Sequence, residues 1–175
     1  LTRFECPLLL NPETQANIQT LLELEQPDFV VLGGDTFSAY VSGIPGPKPA
    51  WWVEEQWRKA VAPLQGKTRW AAVMGNHDQG TQMSADAITG LDFSFEGSLT
   101  GGLEKKNEGA VAPAGMGDYH LSLLDASGQD VVTRLFMFNS QEHGLEQWQV
   151  DRYRNWSVAL EKSAGRVLPA LAFMH

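Results

Sequence analysis

Gly75-Asn76-His77-Asp78 sets side by side an amide oxygen able to ligate a metal, an imidazole able to move a proton, and a carboxylate. Asp35 follows the pair Gly33-Gly34, and His175 follows the apolar run Leu168-Pro169-Ala170-Leu171-Ala172-Phe173-Met174. Hard metal ions take carboxylate, amide-oxygen and imidazole ligands, and a carboxylate has two oxygens with which to bridge two ions. Two ions roughly 3.5 to 4 Å apart can activate a water and clamp a phosphate for in-line displacement. Asp35 is then the candidate bridge, with Asn76 and His175 as ligands of one ion. His77 would point past the metals, where a group titrating near neutral pH can protonate a leaving oxygen or hold a phosphoryl oxygen, with Asp78 orienting its ring. The alternative for Asp35 is a carboxylate capping the turn after Gly34. For His175 it is a structural histidine after an apolar strand.

These side chains need elements that bring them together. Asp28-Phe29-Val30-Val31-Leu32 and Arg69-Trp70-Ala71-Ala72-Val73-Met74 are short apolar runs, each followed by glycine, and read as buried strands ending in tight turns. The last residues repeat the plan, so three predicted strands end in Asp, Asn-His and His. In open α/β sheets ligands bind beyond the carboxyl ends of the strands. Between the first two strands Val53, Trp57, Ala60, Val61 and Leu64 fall on one helical face, with Glu54, Glu55, Arg58 and Lys59 on the other. A strand, helix, strand order implies parallel pairing with a right-handed crossover.

The rest of the chain supports a single α/β domain over residues 1–175. Asn11-Pro12-Glu13 opens a helix carrying Ile18, Leu21, Leu22 and Leu24, and Pro27 stops it. Residues 36–49 are a Gly, Pro and Ser-rich loop at the mouth of the proposed site, which Trp51 or Trp52 could line. Residues 79–117 are the least legible, with a short helix around Met83–Ile88 and a Gly-rich loop holding Lys105 and Lys106. Runs 119–124 and 131–138 read as a β-hairpin across Asp125-Ala126-Ser127-Gly128-Gln129. Leu145, Tyr153, Trp156 and Leu160 share a helical arc ended by Gly165, and Trp57 and Trp156 are expected in the core. Asp118-Tyr119-His120 has metal-like spacing, but alternation puts Asp118 and His120 opposite Tyr119 and Leu121 with no third ligand, so the pair reads as structural. His143 reads as a solvated loop residue. The acceptor pattern Asn155-Trp156-Ser157 lies inside a predicted helix, where no glycan is expected.

Composition narrows the partners. Of 175 residues, 43% are hydrophobic, the profile of an ordinary globular domain. A net charge of −8 repels phosphate polymers and argues against nucleic acid as a partner. A phosphorylated substrate would need metal ions to bring it in. No apolar run is long enough to span a membrane, and the start has no signal-peptide layout. One cysteine, Cys6, allows no internal disulfide and leaves the compartment open. Without an initiator methionine the chain reads as a processed form or a piece of a longer one.

With Gly34-Asp35, Gly75-Asn76-His77-Asp78 and a later strand-end histidine, the sequence resembles the calcineurin-like metallophosphoesterases. The wording around the motifs, Gln26-Pro27-Asp28-Phe29-Val30-Val31, Trp70 through Gln79 and Pro169 through His175, looks like the branch related to purple acid phosphatases. That branch holds a yeast dosage-dependent cell-cycle regulator phosphatase and its plant relatives. The resemblance implies a four-layer α/β/β/α sandwich, of which this chain is the central part, around a dinuclear centre of iron, manganese or zinc. In it Asp35 matches the bridging aspartate, Asn76 and His175 match ligands of the second metal, and His77 matches the catalytic histidine. The implied substrate is a phosphorylated small molecule or a phosphoprotein. Two family motifs, Asp-x-His and Gly-His-x-His, would fall before Leu1 and after His175, so residues 1–175 alone are expected to be inactive. Asp118-Tyr119-His120 cannot replace them, because its order in the chain is wrong. Ser38 stands three residues after Asp35, where purple enzymes carry an iron-ligating tyrosine, and Tyr40 is two residues too late. The site is therefore expected to be colourless.

Overall fold

The computed structural model describes residues 12–39, 46–78, 81–102, 117–140 and 144–175. His143, Tyr40, Lys105 and Lys106 lie outside them. In chain order the elements are α1 (Pro12–Glu25), β1 (Phe29–Gly33), α2 (Ala50–Val61), β2 (Arg69–Val73), α3 (Ala85–Phe93), β3 (Tyr119–Leu124), β4 (Val131–Met137), α4 (Gln147–Ala164) and β5 (Ala170–Phe173). β1 and β2 pair in parallel, with Phe29 opposite Arg69 and Gly33 opposite Val73. The second sheet has the order β3-β4-β5, antiparallel in its first pair and parallel in its second.

The side-chain alternation of β2 builds the layers. Trp70, Ala72 and Met74 face Val53, Trp57, Val61 and Leu64 of the α2 region, Ile88 of α3 and Leu22 of α1. Ala71 and Val73, pointing the other way, meet Tyr119, Leu121, Leu135 and Met137 of the second sheet. α4 covers the far side of that sheet, with Tyr153 edge-on to Phe136 and Trp156 edge-on to His120. The order is helices, sheet, sheet, helix, the expected α/β/β/α sandwich. Trp57 and Trp70 are fully buried, and burial of side chains this large contributes on the order of 2–3 kcal/mol each.

Helix ends follow local chemistry. Ser84 Oγ accepts from Ala87 N at the start of α3, a cap that places this helix two residues after the predicted Met83 and carries it on to Phe93. Glu146 and Gln149 form a reciprocal capping box at the start of α4, and Gly165 closes that helix in the left-handed region at φ 68°.

Several expectations need correction. In α1 only Leu22 is buried, while Leu21 and Leu24 are exposed, because the helix touches the core along one narrow line. β5 was expected to be buried, yet Ala170, Leu171 and Ala172 are exposed. Among the described residues its strand partner is β4 alone. β1 is half-buried, and among the described residues its strand partner is β2 alone. Trp156 is half-buried rather than core, lying under the Arg152 guanidinium. Trp51 is exposed, whereas Trp52 packs behind the Asp35 loop against Phe37. No helix among the described residues is long and apolar enough to cross a membrane.

Candidate active site

Both sheets send strand ends to one point. Gly34 and Asp35 follow β1 and Asn76 and His77 follow β2, two parallel neighbours that finish at the same edge. His175 arrives from the other sheet. Phe138 N donates to Phe173 O, and Ser140 Oγ donates to the His175 carbonyl at 2.7 Å, so the end of β4 holds the end of β5.

Asp35 sits at φ 51°, a left-handed conformation that only Gly, Asn and Asp adopt with ease. Its Oδ1 accepts from His77 N at 2.8 Å, which locks the β1 turn to the β2 turn. Its Oδ2 lies 3.2 Å from His175 Nε2, and Asn76 Oδ1 lies 3.1 Å from the same nitrogen. Gly34, at φ 91°, makes room for this ring, since a Cβ there would stand 2.7 Å from His175 Nδ1.

His175 Nδ1 is 3.1 Å from Gly33 O. A carbonyl only accepts, so Nδ1 carries the hydrogen and donates. In the neutral ring Nε2 then presents a lone pair to a carboxylate oxygen and an amide oxygen, three acceptors facing one another. Flipping the Asn76 amide would relieve one of these contacts and leave the Asp35 contact unfavourable. A proton on Nε2, or a metal ion among the three atoms, removes the conflict. Two ligand bonds of roughly 2.1 Å spread by 90–110° hold their donor atoms about 3.0–3.4 Å apart, the spacing found here. The donors thus fit a metal ion, and the Gly33 carbonyl is the outer partner that fixes the ligating nitrogen. Among the described residues no three His, Cys, Asp or Glu side chains gather to hold a metal. The set here is two such side chains and one amide.

Asp78 is buried beneath this cluster. Its Oδ2 accepts from Gly75 N at 2.8 Å and its Oδ1 from Phe37 N at 3.2 Å. Burial, partly opposed by these two amide donors, pushes its carboxyl up to about 6, with the nearby Asp35 charge adding to the rise. Asp78 therefore braces the two turns through their backbones. The hydroxyl at the His77 ring belongs to Ser38, whose Oγ is 3.2 Å from Nδ1.

Sequence reasoning placed Asp35, Asn76, His77, Asp78 and His175, and the fold brings all five to one end of the sandwich. It missed the close packing of Gly75 on Asp35, Ser140 and the contact of Ser38 with His77. Gly75 carried a signal in its place next to Asn76. Ser140 and Ser38 did not, because their partners lie 35 and 39 residues away along the chain.

Asp118 and His120 stay apart from this cluster. Asp118 accepts from Asn139 N and from Gln149 Nε2, and burial raises its carboxyl against those donors. His120 packs between Phe136 and Trp156. Tyr119 and Leu121 face the inter-sheet core, as alternation required.

Comparisons with curated proteins and with solved structures return no match. The family model described as calcineurin-like phosphoesterase matches residues 11–163, a span that takes in Asp35, Asn76, His77 and Asp78 and stops before His175. With the sandwich and the strand-end cluster in place, that match shows that the chain belongs to the calcineurin-like phosphoesterases, a family of metal-dependent phosphoester hydrolases.

Proposed function

We propose that this protein hydrolyses phosphomonoesters, of a small molecule or a phosphoprotein, at a dinuclear metal centre that includes Asp35, Asn76 and His175. The observation that carries this reading is the convergence of Asp35 Oδ2 and Asn76 Oδ1 on His175 Nε2 within 3.2 Å, with His77 next to the donors. The bound ions would supply Lewis-acid activation of water and neutralise phosphoryl charge. Asp35 would be the carboxylate shared by the ions in this reading, with its Oδ1 steadied by the His77 amide and its Oδ2 turned to His175. His77 supplies the proton. As a water oxygen bonds to phosphorus and the ester phosphorus–oxygen bond breaks, the electron pair of the broken bond passes to the leaving oxygen, and His77 gives that oxygen a proton. The wording around the motifs favours the branch related to purple acid phosphatases, with Ser38 in place of the colour-giving tyrosine and the metals drawn from iron, manganese or zinc. We treat residues 1–175 as part of one such domain.

A second reading is a metal-binding member of the fold without catalysis, set by the donors among the described residues. Asp35, Asn76 and His175 make three, which one ion takes with water completing its shell. A phosphodiesterase or nucleotidase on the same scaffold would differ only in a substrate panel.

Replacing the histidine tests the reading. In the active protein His77→Ala should retain the metals and lose about 10²- to 10⁴-fold in rate on alkyl phosphates. The loss should be smaller on aryl phosphates, whose leaving group hardly needs a proton. An equal loss on both esters would assign His77 to holding the phosphoryl group, and loss of metal would make it a ligand.

A further inference from the structure

We propose that Ser38 is the positioning residue for the His77 imidazole. Its Oγ lies 3.2 Å from His77 Nδ1 across 39 residues of sequence. The segment that carries the hydroxyl is locked on both sides of it. Phe37 N donates to Asp78 Oδ1 at 3.2 Å, and Ala39 N donates to His77 O at 2.9 Å. Phe37 itself is buried, edge-on to both Trp52 and Trp57, so the segment is anchored in the helical side of the core. From the other side His77 N donates to Asp35 Oδ1 at 2.8 Å. Backbone and ring of His77 are thus held by one five-residue segment, Asp35–Ala39, and Ser38 supplies the contact to the ring.

The chemistry of a hydroxyl suits this place. Ser Oγ can donate to a bare Nδ1 or accept from a protonated one, and the rotor turns to suit. A ring that gives up its Nε2 proton keeps the hydrogen on Nδ1, so the Ser38 hydroxyl accepts from Nδ1 before and after, and the ring plane stays fixed through the transfer. A residue that could only donate would find no lone pair on Nδ1 in either of these two states. Fixing χ2 of an imidazole matters because proton transfer requires the nitrogen to be within hydrogen-bond reach of the receiving atom. The catalytic consequence rests on His77 being the proton donor. The positioning itself does not.

The experiment separates the two. In the ¹⁵N-histidine-labelled chain, with the His77 ring signals assigned by comparison with His77→Gln, Ser38→Ala should shift the Nδ1 and Nε2 resonances toward an averaged tautomer pattern, and Ser38→Thr should restore them. Ser38→Cys keeps the volume while weakening the hydrogen bond, and serves if the alanine variant does not fold. Unchanged His77 ring resonances in a folded Ser38→Ala or Ser38→Cys chain would overturn the proposal. In the active protein Ser38→Ala should lower kcat on alkyl phosphates about tenfold, the value of one hydrogen bond, with KM and metal content unchanged. A variant that changes KM and leaves kcat intact would refute the role in orientation. If His77→Ala keeps full activity, the proton-donor reading fails, while the ring resonances still decide whether Ser38 holds His77.

Discussion

The α-carbon of Gly75 packs so tightly against the carboxyl group of Asp35 that a Cβ at position 75 would overlap both Oδ1 and the Asp35 amide nitrogen. Gly75 is not among the glycines in the left-handed region, so contact and not backbone angle demands the missing side chain. Gly75→Ala should push Asp35 away from the His77 amide, destabilise the chain by about 1–3 kcal/mol and weaken metal uptake. Urea titration and calorimetric titration with Mn²⁺ or Zn²⁺ check the two effects. An unchanged midpoint together with unchanged metal affinity would show that the contact carries no constraint.

Asp35→Asn makes a sharper test of charge. The amide oxygen of the variant can still accept from His77 N, so the turn should keep its shape and the melting temperature should move little. Metal affinity should fall by at least roughly 100-fold, since even the outer partners of a metal ligand are worth 10–100-fold. Metal analysis after dialysis measures it. Full metal content in the variant would reduce Asp35 to a turn residue.

Stability of the metal-free chain should fall as pH rises through the acid range. The Asp78 carboxyl ionises at 3.8 when unfolded and is pushed up to about 6 by burial in the folded chain. The unfolded state therefore releases this proton first. Its contribution is fully present below pH 3.8 and is lost as pH rises through about 6, a span worth about 3 kcal/mol at most. Asp118, also raised by burial, acts with the same sign, while the exposed Asp125, lowered by Ser127, acts with the opposite one. Chemical denaturation in chelator between pH 4 and 7 follows the loss. Asp78→Asn should flatten much of it, and an identical pH profile in that variant would remove Asp78 as its source.

Asp92 should matter for stability without belonging to the site. It is wholly buried, and its Oδ1 accepts from the indoles of Trp57 at 2.7 Å and Trp70 at 2.9 Å. Its Oδ2 accepts from Ser98 at 2.8 Å and Thr100 at 2.6 Å. Thr100 Oγ1 in turn accepts from Ala72 N, and Tyr119 donates to Ala72 O, so this group secures the outer edge of β2, whose carboxyl end carries Asn76 and His77. Asp92→Ala leaves four buried donors without their acceptor and should cost about 3–5 kcal/mol. A loss under about 1 kcal/mol in urea titration would mean that water replaces the carboxyl group.

The elements that were legible are those whose local chemistry is sufficient. The apolar runs before Gly33 and Gly75, the helical stripe from Val53 to Leu64 and the turn at Asp125 each settle their own conformation, because periodicity and turn residues act within a few positions. The illegible stretch, residues 79–117, hides Asp92, Ser98 and Thr100. There polar side chains occupy core positions, and a buried polar residue looks like a surface one until its donors are known.

The sequence alone determined the kinds of atom available for chemistry: a carboxylate after Gly34, an amide and an imidazole after Gly75, and an imidazole after Met174. It also determined that each stands at a strand end, since that follows from the runs that precede them. Only the tertiary structure decided that His175 comes from the second sheet, that its Nδ1 faces the Gly33 carbonyl while its Nε2 faces Asp35 and Asn76, and that Ser38 lies at His77. The Ser38–His77 contact spans 39 positions and closes when β1 pairs with β2, whereas the His175 contacts, up to 142 positions apart, close only when the two sheets pack. Local preference acts over a few residues, whereas the register of one sheet on the other is set by the shared core of Ala71, Val73, Tyr119, Leu135 and Met137.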